Sequence, residues 1–234
     1  MTETSANTAQ GARFPSPKAP ARILVVDDHP IVRNGLVQLI EQEQDLIVCA
    51  EAGSAHEAEQ ALEKHAPHIA MLDISLEGTN GIELTRRIRN LYPETCVLIL
   101  SMHDENLYAK RALRAGARGY VTKQEPPEHV VDAIRQVLAG TLYVSSAVAT
   151  EIIREFADGS PAQPTEGGVA SLSDRELQIF ELIGSGNSTR EIAGMLSLSP
   201  KTIESHRAHI KRKLNIRSSA ELTHFAIRFS ETDR

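Results

Sequence analysis

The sequence of 234 residues contains no tryptophan and only two cysteines, and aromatic residues make up just 4% of it. It lacks an uninterrupted run of about 18 apolar residues, so no transmembrane helix is predicted. Its first residues have neither the basic nor the apolar region of a secretory signal, which favours a cytoplasmic protein. Cys49 and Cys96 each lie in a strand-like run, and we interpret them as buried free thiols of a reducing compartment.

The motifs of common nucleotide-dependent and zinc-dependent enzymes are also absent. The sequence has no Gly-x-Gly-x-x-Gly motif and no P-loop lysine, which disfavours a nucleotide-binding enzyme. His206 and His209 are three residues apart, but no cysteine or carboxylate cluster surrounds them, so a zinc site is not expected. We therefore predict that the chain is not an enzyme.

The first two thirds of the chain alternate short apolar runs with helical patterns. Residues 1–21 are rich in Ala, Thr, Ser and Pro and are predicted to form a disordered tail. In residues 22–140, five strands alternate with five helices, which predicts a parallel sheet with helices on both faces. The five-stranded flavodoxin-like order is the natural α/β candidate. The strands are predicted at Ile23–Val26, Leu46–Ala50, Ile69–Asp73, Cys96–Leu100 and Gly119–Val121.

Residues 141–170 are predicted to connect this α/β domain to a smaller, all-α domain at 171–234. The connection holds a helix at Ser145–Ala157 and then a flexible stretch rich in Gly, Pro and polar residues. The last block contains short helices that begin with capping residues, which fits a helix-turn-helix. The predicted caps are Ser173, Ser188, Ser199 and Ser218.

Polar side chains follow four of the predicted strands, at the edge of a parallel sheet where ligands usually bind. Taken singly, each has an ordinary explanation as a helix cap, a turn residue or a surface charge. Together they predict a site, because clustered carboxylates repel one another and a divalent cation such as Mg²⁺ relieves that repulsion. A carboxylate there can attack phosphorus, and a lysine can stabilise the transferred group. The residues are Asp27, Asp28, Asp73, Ser101 and Lys123.

The helix predicted at Lys201–Leu214 has a buried stripe of Ile203, Ile210 and Leu214 and a polar, basic opposite face. Such a face can enter the major groove of DNA, where basic side chains contact phosphates and other groups contact bases. The candidate DNA-binding residues are Lys201, Thr202, Glu204, Ser205, Arg207, Ala208, Lys211 and Arg212. The apolar stripe of the last helix either packs internally or forms a dimer seam; it comprises Leu222, Phe225, Ala226 and Phe229.

The sequence resembles two-component response regulators of the NarL/FixJ subfamily, which have a receiver domain and a LuxR-type output domain. The resemblance covers about residues 22–229 and rests on five motifs: Val-Val-Asp-Asp-His-Pro at 25–30, Leu-Asp-Ile-Ser-Leu at 72–76, Leu-Ser-Met-His at 100–103, Gly-Tyr-Val-Thr-Lys at 119–123, and the block Ser173–Ala226.

The resemblance implies a phosphorylation-controlled transcription regulator. Asp73 would accept a phosphoryl group from a histidine kinase, and Lys123 would contact that group. Mg²⁺ would be held by Asp27 or Asp28 and Asp73 together with the backbone carbonyl of Ser75, and Ser101 and Tyr120 would form the switch pair. Promoter DNA is the implied target, bound by a homodimer, with RNA polymerase as a further candidate partner.

One departure and two alternatives remain at this stage. Many family members have Met-Pro-Gly after the acceptor, where this chain has Leu76-Glu77-Gly78; Glu77 lacks the fixed φ of proline. A phosphohydrolase with an aspartyl intermediate would need a second carboxylate two residues after Asp73, where Ser75 stands. The other alternative is a phosphorylation-independent DNA-binding regulator whose receiver is a constitutive dimerisation module.

Overall fold

The computed structural model describes residues 19–76, 79–157 and 168–232. Most of the predicted N-terminal tail, Glu77 with Gly78, and the stretch 158–167 of the predicted flexible connection lie outside these residues. Among the residues described, none of the helices combines the length and the apolar character needed to cross a membrane.

A five-stranded parallel sheet forms the centre of the first domain, with the strand order β2-β1-β3-β6-β7. This order confirms the flavodoxin-like α/β fold. The short strands β4 and β5, which follow β3 in the chain, pair antiparallel in a separate two-stranded sheet that was not predicted. The strands are β1 Ala21–Val26, β2 Leu46–Ala52, β3 Ile69–Leu72, β4 Ser75–Leu76, β5 Thr79–Asn80, β6 Cys96–Ser101 and β7 Gly119–Thr122.

Helices cover both faces of the sheet, and further helices build the C-terminal part. They are α1 Pro30–Glu41, α2 Ala55–His65, α3 Gly81–Leu91, α4 Glu105–Ala115, α5 Pro127–Leu138, α6 Ser146–Ala157, α7 Asp174–Gly184, α8 Thr189–Met195, α9 Pro200–Lys213 and α10 Ser219–Thr232, with a 3₁₀ turn at Val169–Ser171 before α7. All predicted helices are present, and their ends differ from the predictions by one or a few residues, as helix ends commonly do.

Helices bury both faces of the sheet. Successive side chains of a strand point to opposite faces, so each strand contributes to two apolar clusters. In β1, Leu24 and Val26 belong to one apolar cluster, whereas Ile23 and Val25 belong to the other. The strands are therefore almost continuously apolar, which is typical of parallel sheets covered by helices. Asp27 and Asp73 directly follow the carboxyl ends of β1 and β3, and this places the candidate site at that edge.

The C-terminal helices pack around Phe180, whose ring contacts the rings of Phe225 and Phe229 at centroid distances of 5.8 and 5.5 Å. Leu222 and Ala226 are fully buried and Phe229 is partly buried, so this part of the α10 stripe packs internally, whereas Phe225 is 39% exposed. The predicted capping boxes of α7 and α8 are both present, with Ser173 and Ser188 each accepting a bond from a backbone N–H and Glu176 and Glu191 bonding back.

Candidate functional site

The predicted strand-end groups converge on Lys123. Its Nζ lies 2.7 Å from Oδ2 of Asp27 and 2.7 Å from Oδ2 of Asp73, although these residues are far apart in the sequence. Asp27 follows β1, Asp73 follows β3 and Lys123 follows β7, so three strand ends meet at one edge. Both carboxylates are buried, with exposed fractions of 1% and 4%.

Burial and ion pairing shift the pKa values of Asp73 and Lys123 in opposite directions. Burial raises the pKa of Asp73, and the adjacent Lys123 offsets part of that rise. Burial also disfavours the charge of Lys123, but its contacts with Asp73 and Asp27 outweigh that effect and raise the pKa of Lys123 overall. The lysine therefore remains charged, and it is the cation that keeps two buried carboxylates close together.

A group of four side chains at this edge can offer ligand atoms to a cation. The ligand atoms of Asp27, Asp28, His29 and Asp73 all lie within 4.8 Å of one another. Oxygen-rich sets of this kind fit a hard divalent cation. His29 was not predicted as a member; its Nδ1 lies 2.6 Å from Oδ1 of Asp28, and its side chain is 65% exposed.

The loop after β3 is held by backbone bonds on both sides of the acceptor candidate. The Asp73 N–H donates to the Val26 carbonyl at 2.9 Å, and the Gly81 N–H donates to the Ile74 carbonyl at 2.8 Å. The backbone of Ser75 also tends to lower the pKa of Asp73. The acceptor position is therefore fixed by β1 on one side and by the start of α3 on the other.

Ser101 and Tyr120 are both hydrogen-bonded to the backbone of His103. His103 belongs to the Leu-Ser-Met-His motif at 100–103, but the sequence did not predict a role for it. Ser101 is fully buried, and its Oγ accepts a bond of 3.3 Å from the His103 N–H. The Tyr120 hydroxyl donates to the His103 carbonyl at 2.8 Å. Burial raises the pKa of Tyr120, so the hydroxyl keeps its proton and acts as a donor. The Tyr120 ring already points inward, with 1% exposed.

Helix α9 presents most of the predicted DNA-binding residues to solvent. The exposed ones are Lys201, Glu204, Ser205, Ala208 and Arg212, whereas Thr202, Arg207 and Lys211 are partly covered. The Arg207 side chain is only 11% exposed and lies 3.9 Å from Glu204, so it is less accessible than its sequence position suggests. Glu204 also accepts a bond of 2.7 Å from the Thr189 hydroxyl of α8.

Two family models match the chain, one for each domain. The Response regulator receiver domain matches residues 23–135, and Bacterial regulatory proteins, luxR family, matches residues 170–226. The oxygen regulatory protein NreC of Staphylococcus carnosus is 36% identical over 210 residues, covering 88% of this chain and 97% of NreC. The response regulator UvrY of Escherichia coli K12 is 37% identical over 206 residues, covering 88% of this chain and 93% of UvrY.

Solved structures show the same architecture. RcsB of Salmonella enterica serovar Typhimurium, bound to the promoter rprA in the presence of the phosphomimetic BeF3-, has a TM-score of 0.61 and 25% identity, covering 88% of this chain and 98% of RcsB. A LuxR-family response regulator of Aurantimonas has a TM-score of 0.55 and 43% identity, covering 59% of this chain and 99% of that one. The chain thus belongs to the NarL/FixJ family of two-component response regulators, DNA-binding proteins that control transcription through a receiver domain and a LuxR-type helix-turn-helix.

Proposed function

We propose that Asp73 accepts a phosphoryl group from a sensor histidine kinase and that this event controls promoter binding through α9. The observation that carries the proposal is the position of Lys123 Nζ, 2.7 Å from both Asp27 and Asp73. A buried carboxylate beside a lysine ammonium group is an arrangement suited to forming and holding an acyl phosphate.

In the transfer, an Asp73 carboxylate oxygen forms a bond to phosphorus while the bond from phosphorus to the kinase histidine nitrogen breaks. Asp27, Asp28 and Asp73 would hold Mg²⁺ with the Ser75 carbonyl, and the bound ion supplies positive charge beside the transferred oxygens. Lys123 is placed to move from its carboxylate partners to a phosphoryl oxygen. Ser101 would then donate its hydroxyl to the same group.

The switch pair would transmit this change to the surface around α4. A phosphoryl group adds charge and acceptor oxygens, which favour a position of Ser101 closer to Asp73. Because Tyr120 is buried and bonded to the His103 carbonyl, movement of the segment after β6 changes its surroundings as well. In this proposal Ser101 and Tyr120 therefore act together through the segment after β6 that contains His103.

For DNA, we propose that the exposed face of α9 enters the major groove, with two copies bound to adjacent half-sites. In this proposal Glu204, Ser205 and Ala208 contact bases, and Lys201, Lys211 and Arg212, with Thr202, contact the phosphate backbone. Arg207 is only 11% exposed and would have to turn outward to reach a phosphate. The protein would work in the cytoplasm, and RNA polymerase is a candidate partner at the promoter.

The direct test measures incorporation of phosphate from a small acyl phosphate together with promoter binding. Asp73→Asn should abolish labelling, whereas the control Asp45→Asn, at an exposed position outside the site, should label like the wild type. Labelling of Asp73→Asn at wild-type stoichiometry would show that the acceptor is misassigned. Genome-wide binding with and without phosphodonor then tests control of DNA binding, and equal occupancy would favour the constitutive dimerisation alternative.

A further inference from the structure

The carboxylate of Glu181 in α7 contacts two side chains of the receiver domain. One of its oxygens, Oε2, accepts a bond of 2.8 Å from the Tyr108 hydroxyl and lies 2.9 Å from Nδ1 of His103. The side chains of Glu181 and His103 are only 22% and 20% exposed, so this contact is largely shielded from water. The output domain therefore places a carboxylate directly against the segment that follows β6.

The other nitrogen of the His103 ring points towards the phosphorylation site. Nε2 lies 2.8 Å from the Ser75 hydroxyl, two residues after Asp73. Because a carboxylate only accepts hydrogen bonds, Nδ1 carries the hydrogen towards Glu181, and in the neutral ring Nε2 accepts from Ser75. A continuous chain of bonds thus runs from Glu181 through His103 to the loop that carries Asp73.

The backbone of His103 is bonded to both proposed switch residues. Its N–H donates to the Ser101 hydroxyl at 3.3 Å, and its carbonyl accepts from the Tyr120 hydroxyl at 2.8 Å. Movement of the Ser101 hydroxyl towards a phosphoryl group therefore breaks or shifts its bond with the His103 N–H. With the ring held by Glu181, that movement is resisted while the domains are in contact.

We propose that Glu181 of the output domain is a positioning residue for phosphorylation of Asp73, acting through His103 on Ser75 and Ser101. The contact holds the segment after β6 in the arrangement of the unphosphorylated state, so it slows phosphoryl transfer. Because coupling between two sites is reciprocal, phosphorylation weakens the Glu181 contact by the same factor by which the contact disfavours phosphorylation. This inference rests on the proposed function of Asp73.

A second interdomain contact provides a matched control. Asp174, at the start of α7, accepts from Arg86 at 2.7 Å and from Arg111 at 3.1 Å. Arg111 also donates to the Leu172 carbonyl at 2.6 Å and to the Ala170 carbonyl at 3.0 Å. These two bonds still hold the output domain in the Asp174→Asn variant. Asp174→Asn therefore weakens the contact between the domains without touching His103.

The experiment uses the full chain with Mg²⁺ and measures two quantities: the rate of Asp73 phosphorylation by acetyl phosphate, in which acetate leaves as Asp73 bonds to phosphorus, and the affinity for BeF3-. Glu181→Gln should raise the affinity for BeF3- about fivefold, at the low end of typical allosteric couplings, and should change the rate in the same direction. Asp174→Asn should change both by less than about twofold. A gain of rate is a readout that simple damage to the fold would not produce.

A double-mutant cycle separates a relay from independent effects. In a His103→Gln background, Glu181→Gln should add no further change in BeF3- affinity, because the connecting ring is gone. Additive effects, or an Asp174→Asn gain equal to that of Glu181→Gln, would overturn the inference. Asp73→Asn in the same series distinguishes the two proposals: its labelling would refute Asp73 as the acceptor, whereas normal Asp73 labelling with an unchanged Glu181→Gln rate would refute only the relay.

Discussion

Gly81, the first residue of α3, lies directly against the backbone oxygen of Asp73. A Cβ atom built at Gly81 would overlap that oxygen and would lie 2.9 Å from the Cα of Ile74. The neighbours are backbone atoms that cannot turn aside as a flexible side chain would. The start of α3 thus fits under the acceptor loop only because residue 81 has no side chain.

The first prediction is that Gly81→Ala displaces the acceptor loop. Overpacking of this kind costs about 1–3 kcal/mol, and we expect the free energy of unfolding and the rate of Asp73 phosphorylation both to fall. Gly35→Ala is the matched control, since Gly35 is exposed in α1 and its Cβ would meet nothing within 4 Å. That change should stabilise α1 by up to about 1 kcal/mol. Urea denaturation of both variants provides the measurement, and equal effects would contradict the packing argument.

Replacing Lys123 with methionine leaves Asp27 and Asp73 facing each other without a cation. In Mg²⁺-free buffer near neutral pH we expect the free energy of unfolding to fall by about 3 kcal/mol, because a buried charge is left uncompensated. Without the lysine, the pKa of Asp73 in the folded state rises further above its unfolded value. A group with a raised folded pKa contributes stability at low pH and loses it as the pH rises.

The deficit of Lys123→Met relative to the wild type should therefore shrink as the buffer is acidified from about pH 7 to about pH 5. Denaturant titrations at several pH values measure it. A deficit that stays constant over this range would mean that Lys123 acts through packing rather than charge.

Glu176 in α7 connects the output helices through its carboxylate. Its Oε2 accepts bonds from the Ser173 N–H at 2.8 Å and from Lys213 Nζ at 2.6 Å. Burial tends to raise the pKa of Glu176, but the bonds from Lys213 and Ser173 together lower it below its ordinary value of 4.5. Because the pKa is lower in the folded state than in the unfolded state, the Glu176 carboxylate stabilises the fold at pH values above the ordinary pKa of 4.5. This stability is lost as the pH falls through the lower pKa of the folded state.

Lys213→Met should therefore lower the melting temperature of the output domain at about pH 6 and lower it less at about pH 3, because protonation of Glu176 removes the charge that pairs with Lys213. The expected loss at the higher pH is about 1.5–3 kcal/mol, the usual value for a hydrogen bond to a charged group. Thermal unfolding at both pH values is the measurement. The prediction fails if the variant and the wild type differ equally at both.

Arg212, exposed on α9, should contribute to binding through the phosphate backbone of DNA. We expect Arg212→Gln to weaken binding of promoter and non-promoter DNA alike and to reduce the slope of log affinity against log salt by about 1. Lys64→Gln makes the same change of charge on the exposed face of α2 and should leave the slope unchanged. Fluorescence anisotropy over a series of salt concentrations measures both. Loss of promoter affinity alone, with an unchanged slope, would place Arg212 at a base instead.

Local patterns were sufficient to predict the fold. Apolar runs form β3, most of β1 and most of β6, and a polar residue follows or ends each of them. The caps Ser173, Ser188 and Ser199 mark helix starts by their own chemistry. The β4–β5 hairpin was missed because Ser75–Leu76 and Thr79–Asn80 are too short for any periodicity to show. Strand ends were displaced by one or two residues; Ser101, for example, is the last residue of β6 rather than the first after it.

The site was predictable only as far as topology determines it. Asp27, Asp73 and Lys123 follow strands of one parallel sheet, so their convergence follows from the fold class. His29 belongs to the Val-Val-Asp-Asp-His-Pro motif at 25–30, but the sequence did not predict it as a possible cation ligand. The roles of His103 and Glu181 depend on how the output domain contacts α4, and no periodicity or spacing within the chain encodes that contact. The roles assigned to individual site residues stay predictions until the variants are measured.

The open face of α9 has a consequence for how the protein finds its operators. Lys201 and Arg212 face solvent in the same structure in which Glu181 contacts the receiver domain. In that arrangement the charges that we propose for sequence-independent DNA binding would stay accessible. We therefore expect the resting population to be already sliding along the genome when a stimulus arrives. Phosphorylation would then change how long the protein stays bound at its target promoters. The delay before transcription responds would not include a three-dimensional search for DNA.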